Sequence, residues 1–200
     1  TSSTVACISG ATAPAQLPVV KDAEGVILSP AAGSPVKGGN YNGCEGTVTY
    51  KYIYEDCAKL TFEWTYTYTI ERNDFTVPEP VSKTIACIDD AVTPVVPVVT
   101  DNCGTILTPT GPVTGGTYNG CEGTRTFTWT FTDCEGNTHP WVYTYTIERL
   151  DFTMPPNDGK TIACVSEATV PVPPKVTDHC GNVITPTGPV KSNIPDCEGV

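Results

Sequence analysis

From residue 125 to residue 132 the chain alternates without a break. Phe127, Trp129 and Phe131 fall on one side, and Thr126, Thr128, Thr130 and Thr132 on the other. A period of two, carried by aromatic and β-branched residues, predicts a half-buried strand. Glu135-Gly136-Asn137 then predicts a turn, and residues 141–149 a second strand with Trp141, Tyr143, Tyr145 and Ile147 on one side. Together these make a long hairpin. Val48, Tyr50, Tyr52 and Tyr54 repeat the alternation earlier in the chain. Shorter strands are predicted at residues 95–100 and around residues 84–88, with Pro94 and Pro97 confining the former to an edge or to a short strand. Thr114-Gly115-Gly116 and Tyr118-Asn119-Gly120 read as turns. No stretch has the period of an amphipathic helix, so several short strands point to a two-sheet sandwich.

These elements recur. TVAC at residues 4–7 returns as TIAC at 84–87 and 161–164; DNCG at 101–104 returns as DHCG at 178–181; YNGCEG at 41–46 and YTYTIER at 66–72 return unchanged at 118–123 and 143–149. Cys44 to Cys121, Cys57 to Cys134, Cys87 to Cys164 and Cys103 to Cys180 are all 77 apart, whereas Cys7 to Cys87 is 80. A fixed period of this length is the mark of a repeat array. Two full repeats, residues 1–80 and 81–157, are expected, followed at 158–200 by the opening part of a third that lacks its long hairpin. A short, proline-bearing linker at 152–159 predicts semi-rigid spacing and an extended rod.

Ten cysteines, nineteen prolines and eighteen glycines describe a loop-rich β protein from an oxidising compartment. A mature segment is expected, with targeting and anchoring sequences outside it. No apolar run approaches the roughly 20 residues of a membrane helix. A net charge of −11 argues against nucleic acid, whose phosphates need clustered Lys and Arg.

Four cysteines per repeat allow three connectivities within one repeat. Cys121 and Cys134 bracket a strand that separates them by about 30–40 Å, far beyond the roughly 7 Å that a disulfide tolerates between Cα atoms. Of the two remaining schemes, one joins Cys87 to Cys134 and Cys103 to Cys121. The other, preferred because the turns carrying its second pair should meet at one end of the sandwich, joins Cys87–Cys121 and Cys103–Cys134. By period it adds Cys7–Cys44 and Cys164–Cys197. Glu24 stands where Cys103 stands one repeat later, which leaves Cys57 unpaired; Cys180 is expected to be unpaired as well.

DNCG at 101–104 and FTDCEGN at 131–137, followed by an alternating terminal strand, resemble the hyalin-repeat (HYR) domain, an immunoglobulin-like module. The four-cysteine type in tandem, with TIAC openings, is similar to repeats of very large surface adhesins of gliding bacteria. That resemblance implies export by the type IX secretion system, a place on the bacterial cell surface, and partners in the secretion and motility machinery.

Chemistry is scarce. His139 and His179 sit at unrelated places in the repeat, and no phosphate-binding, dinucleotide or HExxH motif occurs. No two cysteines are closer than 13 residues, unlike zinc ligands. No catalytic residue and no cofactor is expected. Asp133, Glu135 and Asn137, with Asp101 from a neighbouring loop, form the one calcium candidate, weakened because Ala58 and Leu60 replace Glu135 and Asn137 in the first repeat. A solvated acidic turn explains the same residues. Two functions fit this pattern. Either the repeats are a structural spacer, tied to further repeats of the same polypeptide and resisting strain during movement, or they themselves bind a polysaccharide or substratum, or a neighbouring array, through variable loops such as 25–40 and 104–117.

Overall fold

The computed structural model describes residues 1–192. Strands β1 (Ser2–Val5), β4 (Val36–Gly39), β5 (Gly46–Glu55) and β6 (Thr61–Ile70) form one sheet in the order β1-β6-β5-β4, with a ribbon of β2 (Val20–Lys21) and β3 (Ile27–Leu28) beside it. The second repeat has the same plan. Strands β7 (Val81–Ile85), β10 (Thr110–Gly115), β11 (Gly123–Thr132) and β12 (Thr138–Ile147) are ordered β10-β11-β12-β7, with a ribbon of β8 (Val99–Thr100) and β9 (Ile106–Leu107). A third ribbon, β13 (Val176–Thr177) and β14 (Val183–Ile184), belongs to the third repeat. Among the described residues there is no α-helix; single 3-10 turns at Ile8–Gly10, Ile88–Asp90 and Val165–Glu167 each come directly after a TVAC or TIAC cysteine.

The alternation fixes the core. Val48, Tyr50, Tyr52 and Tyr54 are buried along β5 together with Ile70 of β6, and Leu17, Val20 and Leu28 from the ribbon side pack against them. The Tyr50 hydroxyl donates to the Ala11 carbonyl at 2.7 Å, which fastens the loop to the sheet. In the second repeat Phe127, Trp129, Phe131, Trp141, Tyr145 and Ile147 are buried. Trp129 and Trp141 lie 5.5 Å apart as core partners, and in the first repeat Tyr52 and Trp64 lie 5.6 Å apart. The second layer of each sandwich is thus a small ribbon and a loop.

The strand expected at 95–100 shrinks to Val99–Thr100, because Pro94 and Pro97 interrupt the ladder before it. β4 and β10 carry no alternation that would have announced them; β10 is exposed throughout.

Register places the ends of a repeat. Val5 pairs with Ile70 in parallel, and Ile70 pairs with Gly46. The residues just beyond, Cys7 and Cys44, therefore emerge at one end. The hairpin loop with Cys57, between Glu55 and Thr61, lies at the other.

The chain divides into two compact units that cross the repeat boundaries. One is Thr1–Pro80, Val95–Val113 and Thr128–Val142; the other is Val81–Pro94, Thr114–Phe127 and Tyr143–Val200. The first unit contains the whole first repeat with the ribbon and hairpin tip of the second. The second unit contains the other end of the second repeat and the residues of the third.

Candidate functional site: the cystine junction between repeats

The cysteines join across repeats, not within them. Cys7 bonds Cys103, Cys44 bonds Cys134 and Cys87 bonds Cys180. This corrects the expected Cys7–Cys44, Cys87–Cys121 and Cys103–Cys134 pairs, and Cys180 is bonded, contrary to the expectation that it stands alone. Cys57, Cys121 and Cys164 carry no disulfide and are exposed; the expected Cys164–Cys197 pair involves a residue outside the described ones. The reason for the difference lies in the ends of the repeat. Two cysteines leave at one end, after β1 and before β5, and the other two sit on turn tips at the opposite end. Each end meets the complementary end of the neighbouring repeat, so all bonds cross the junction. The sequence spacing showed which cysteines share an end but not that repeats meet end against end.

The ribbon tip that carries Cys103 is held by its first residue. Asp101 Oδ1 accepts from the backbone N–H groups of Cys103 at 2.9 Å and Thr105 at 2.8 Å. Its other oxygen takes Arg72 Nη1 of the preceding repeat at 2.5 Å, with the two side chains 7% and 9% exposed. Arg72 also donates from Nε to the Cys44 carbonyl at 3.3 Å, and its backbone N–H donates to Glu45. One guanidinium thus ties together both disulfides of the junction. Burial alone would push the Asp101 carboxyl up, but donations from Thr105 and Cys103 and the adjacent guanidinium outweigh it and hold it below the usual carboxylate range.

The second junction repeats this contact by contact. Arg149 pairs with Asp178, donates from Nε to the Cys121 carbonyl at 3.3 Å and from its backbone to Glu122. Asp178 Oδ1 caps Cys180 and Asn182 at 2.9 and 2.8 Å. Asp178 is likewise held low, here chiefly by the Asn182 side chain. The signal was present in the sequence as an Arg in the repeated YTYTIER and an Asp in the repeated D-x-C-G, 29 residues apart in both copies.

A second contact set closes the first junction. Residues after Arg72 lie along the hairpin of the next repeat: His139 Nε2 sits 2.9 Å from Asp74, the Phe75 and His139 rings meet edge to face at 4.7 Å, and Trp141 Nε1 donates to the Glu79 carbonyl at 3.2 Å. His139 is therefore a packing residue at a junction. His179 is exposed, on the third repeat's ribbon tip.

The calcium candidates are turned to other tasks. Asp133 Oδ1 accepts from the backbone N–H groups of Glu135 and Asn137 at 3.0 and 2.9 Å, and the Asn137 amide nitrogen faces Asp133 Oδ2 and Glu135. Asp101 is committed to Arg72. Among the described residues no group of three or more His, Cys, Asp or Glu side chains is arranged to hold a metal ion, and no helix is long and apolar enough to cross a membrane.

Fold and junction together define a β-repeat array whose consecutive repeats are joined by disulfides. The family model for the HYR-like domain with 4 cysteines matches residues 1–70, 75–147 and 152–200. The chain belongs to that family, in three tandem copies. A search of curated proteins returned no match. Disulfide-rich repeats of this kind are non-catalytic structural or adhesive modules of extracellular or surface chains.

Proposed function

We propose that these repeats form the stalk of a large secreted adhesin on a bacterial cell surface, serving gliding motility or surface attachment as a disulfide-tied spacer between the cell and a binding region. The observation that carries this reading is the junction: among the described residues every bonded cysteine secures one repeat to the next, and a buried Arg–Asp pair stands beside the first such pair of bonds. A module whose evolved contacts face its own neighbours is built for continuity along the series. The partners this role requires are further repeats of the same polypeptide, the secretion and motility machinery, and the substratum reached by the distal end.

The test has two arms. Purified repeats applied to a polysaccharide array should be retained by none of its members. Cells carrying adhesins with progressively fewer repeats should lose attachment under flow while the isolated distal region binds as before. Retention of the purified repeats on a polysaccharide, abolished by changes in loops 25–40 or 104–117, would replace the spacer by direct binding.

A further inference from the structure

We infer that the far end of the second repeat, around Cys121, Arg149 and Phe152, is a docking surface for the closing hairpin of a further HYR-like repeat next in series, sealed by a disulfide at Cys121. The first junction shows what such a surface looks like when filled. Phe75 is 4% exposed beneath His139, and Cys44 is bonded to the hairpin-tip residue Cys134. One period on, the same positions are Phe152 and Cys121. Phe152 is 43% exposed and Cys121 is an exposed thiol. Beside them opens a cleft of about 500 Å³ lined by Arg149, Leu150, Asp151, Phe152, Asp178 and Ile184.

Half of the junction is already in place. Arg149 holds Asp178, and Cys87 holds Cys180, as Arg72 and Cys7 hold Asp101 and Cys103. The ribbon of the third repeat is seated against Arg149 and Cys87. The occupant is set by chemistry. It needs a Cys at a tight acidic turn to reach Cys121, an imidazole or similar polar ring to lie on Phe152 and face Asp151, and an indole N–H to reach the linker carbonyls, as Cys134, His139 and Trp141 do in the first junction. Sealing removes two protons and two electrons from two thiols, which pass to a disulfide oxidant such as oxidised glutathione.

The experiment appends a second copy of residues 124–157 after Val200, in phase with the period, and refolds both chains in glutathione buffer. In the unextended chain Cys121 should react with iodoacetamide. In the grafted chain it should not, and a non-reducing digest should join Cys121 to the graft's copy of Cys134. Cys121 still reactive beside a folded graft, or bonded to any other cysteine, overturns the assignment. So does a disulfide-linked dimer of the unextended chain through Cys57 and Cys121, which would place the site between copies. A second measurement holds if the graft fails to fold: in the unextended chain Phe75→Ala should lower the unfolding midpoint clearly more than Phe152→Ala. Equal losses would mean that Phe152 is already packed, and the surface would not be open.

Discussion

Positions 54 and 131 occupy the same place in the repeat, yet one is Tyr and the other Phe. Both are sealed in the core, at 2% and 0% exposure, but the Tyr54 hydroxyl has no hydrogen-bond partner. A buried hydroxyl left unpaired costs about 1–3 kcal/mol. Tyr54→Phe should therefore stabilise the first repeat by about 1 kcal/mol, and Phe131→Tyr should destabilise the second by a similar or larger amount; thermal melts of the two variants check both signs. Asp101, the most deeply buried of the carboxylates held low, contributes to the acid sensitivity. Its carboxyl is held below its unfolded value, so its contribution is complete above about pH 4 and is lost as the pH falls through the lower folded value. Asp101→Asn should flatten the acid limb of a stability–pH profile. At neutral pH it should cost about 3–5 kcal/mol, because it strips the buried Arg72 of its counter-charge. If the acid limb keeps its slope in the variant, another carboxylate governs it. Neither residue was singled out for these roles by the sequence, since alternation marks position 54 as inward without revealing that its hydroxyl lacks an acceptor.

The long hairpins were legible because their periodicity is strong and their faces unambiguous. Short ribbons and the edge strands β4 and β10 were not, because their pairing is set by a neighbour and not by their own pattern. The acidic turns were legible as turns but open to a second meaning. Asp22, Asp56, Asp101, Asp133 and Asp178 each accept from a backbone N–H four residues on. That single capping habit produces the oxygen-rich spacing that also suits a calcium loop. Glycine has a sharper task at the exit of β10. Gly116 adopts φ +121°, and a Cβ there would stand 2.0 Å from the Thr124 carbonyl oxygen, as one at Gly39 would from Thr47. Gly116→Ala should open the β10–β11 turn, costing at least about 1–3 kcal/mol, and should show as faster amide exchange confined to β10 and the start of β11. An unchanged exchange pattern would mean that the turn tolerates a side chain.

At the level of the entire chain, the 77-residue period, the all-β class and the family were readable from residues, whereas the cystine map was not: counting within one repeat treats each repeat as closed, and these are not. Crossing bonds change what happens when the ends are pulled. The shortest covalent route from Thr1 to Val200 runs six residue steps to Cys7, crosses to Cys103, goes sixteen steps backwards to Cys87, crosses to Cys180 and continues for twenty, or 42 steps in place of 199. At about 3.6 Å per step the oxidised chain can lengthen to only about 150 Å, against about 700 Å once reduced. Of the strands in the two four-stranded sheets only β1 lies on this route; the long hairpins β5–β6 and β11–β12 lie off it. Single-molecule stretching should find the shorter contour, unchanged by Cys44→Ser and raised to about 380 Å by Cys103→Ser, which leaves the route running along the chain to Cys87 before it crosses to Cys180. Bonds confined to single repeats would instead give about 340 Å in the oxidised parent. A thread of such units would behave as a leash of fixed length whose slack is released only by a reductant.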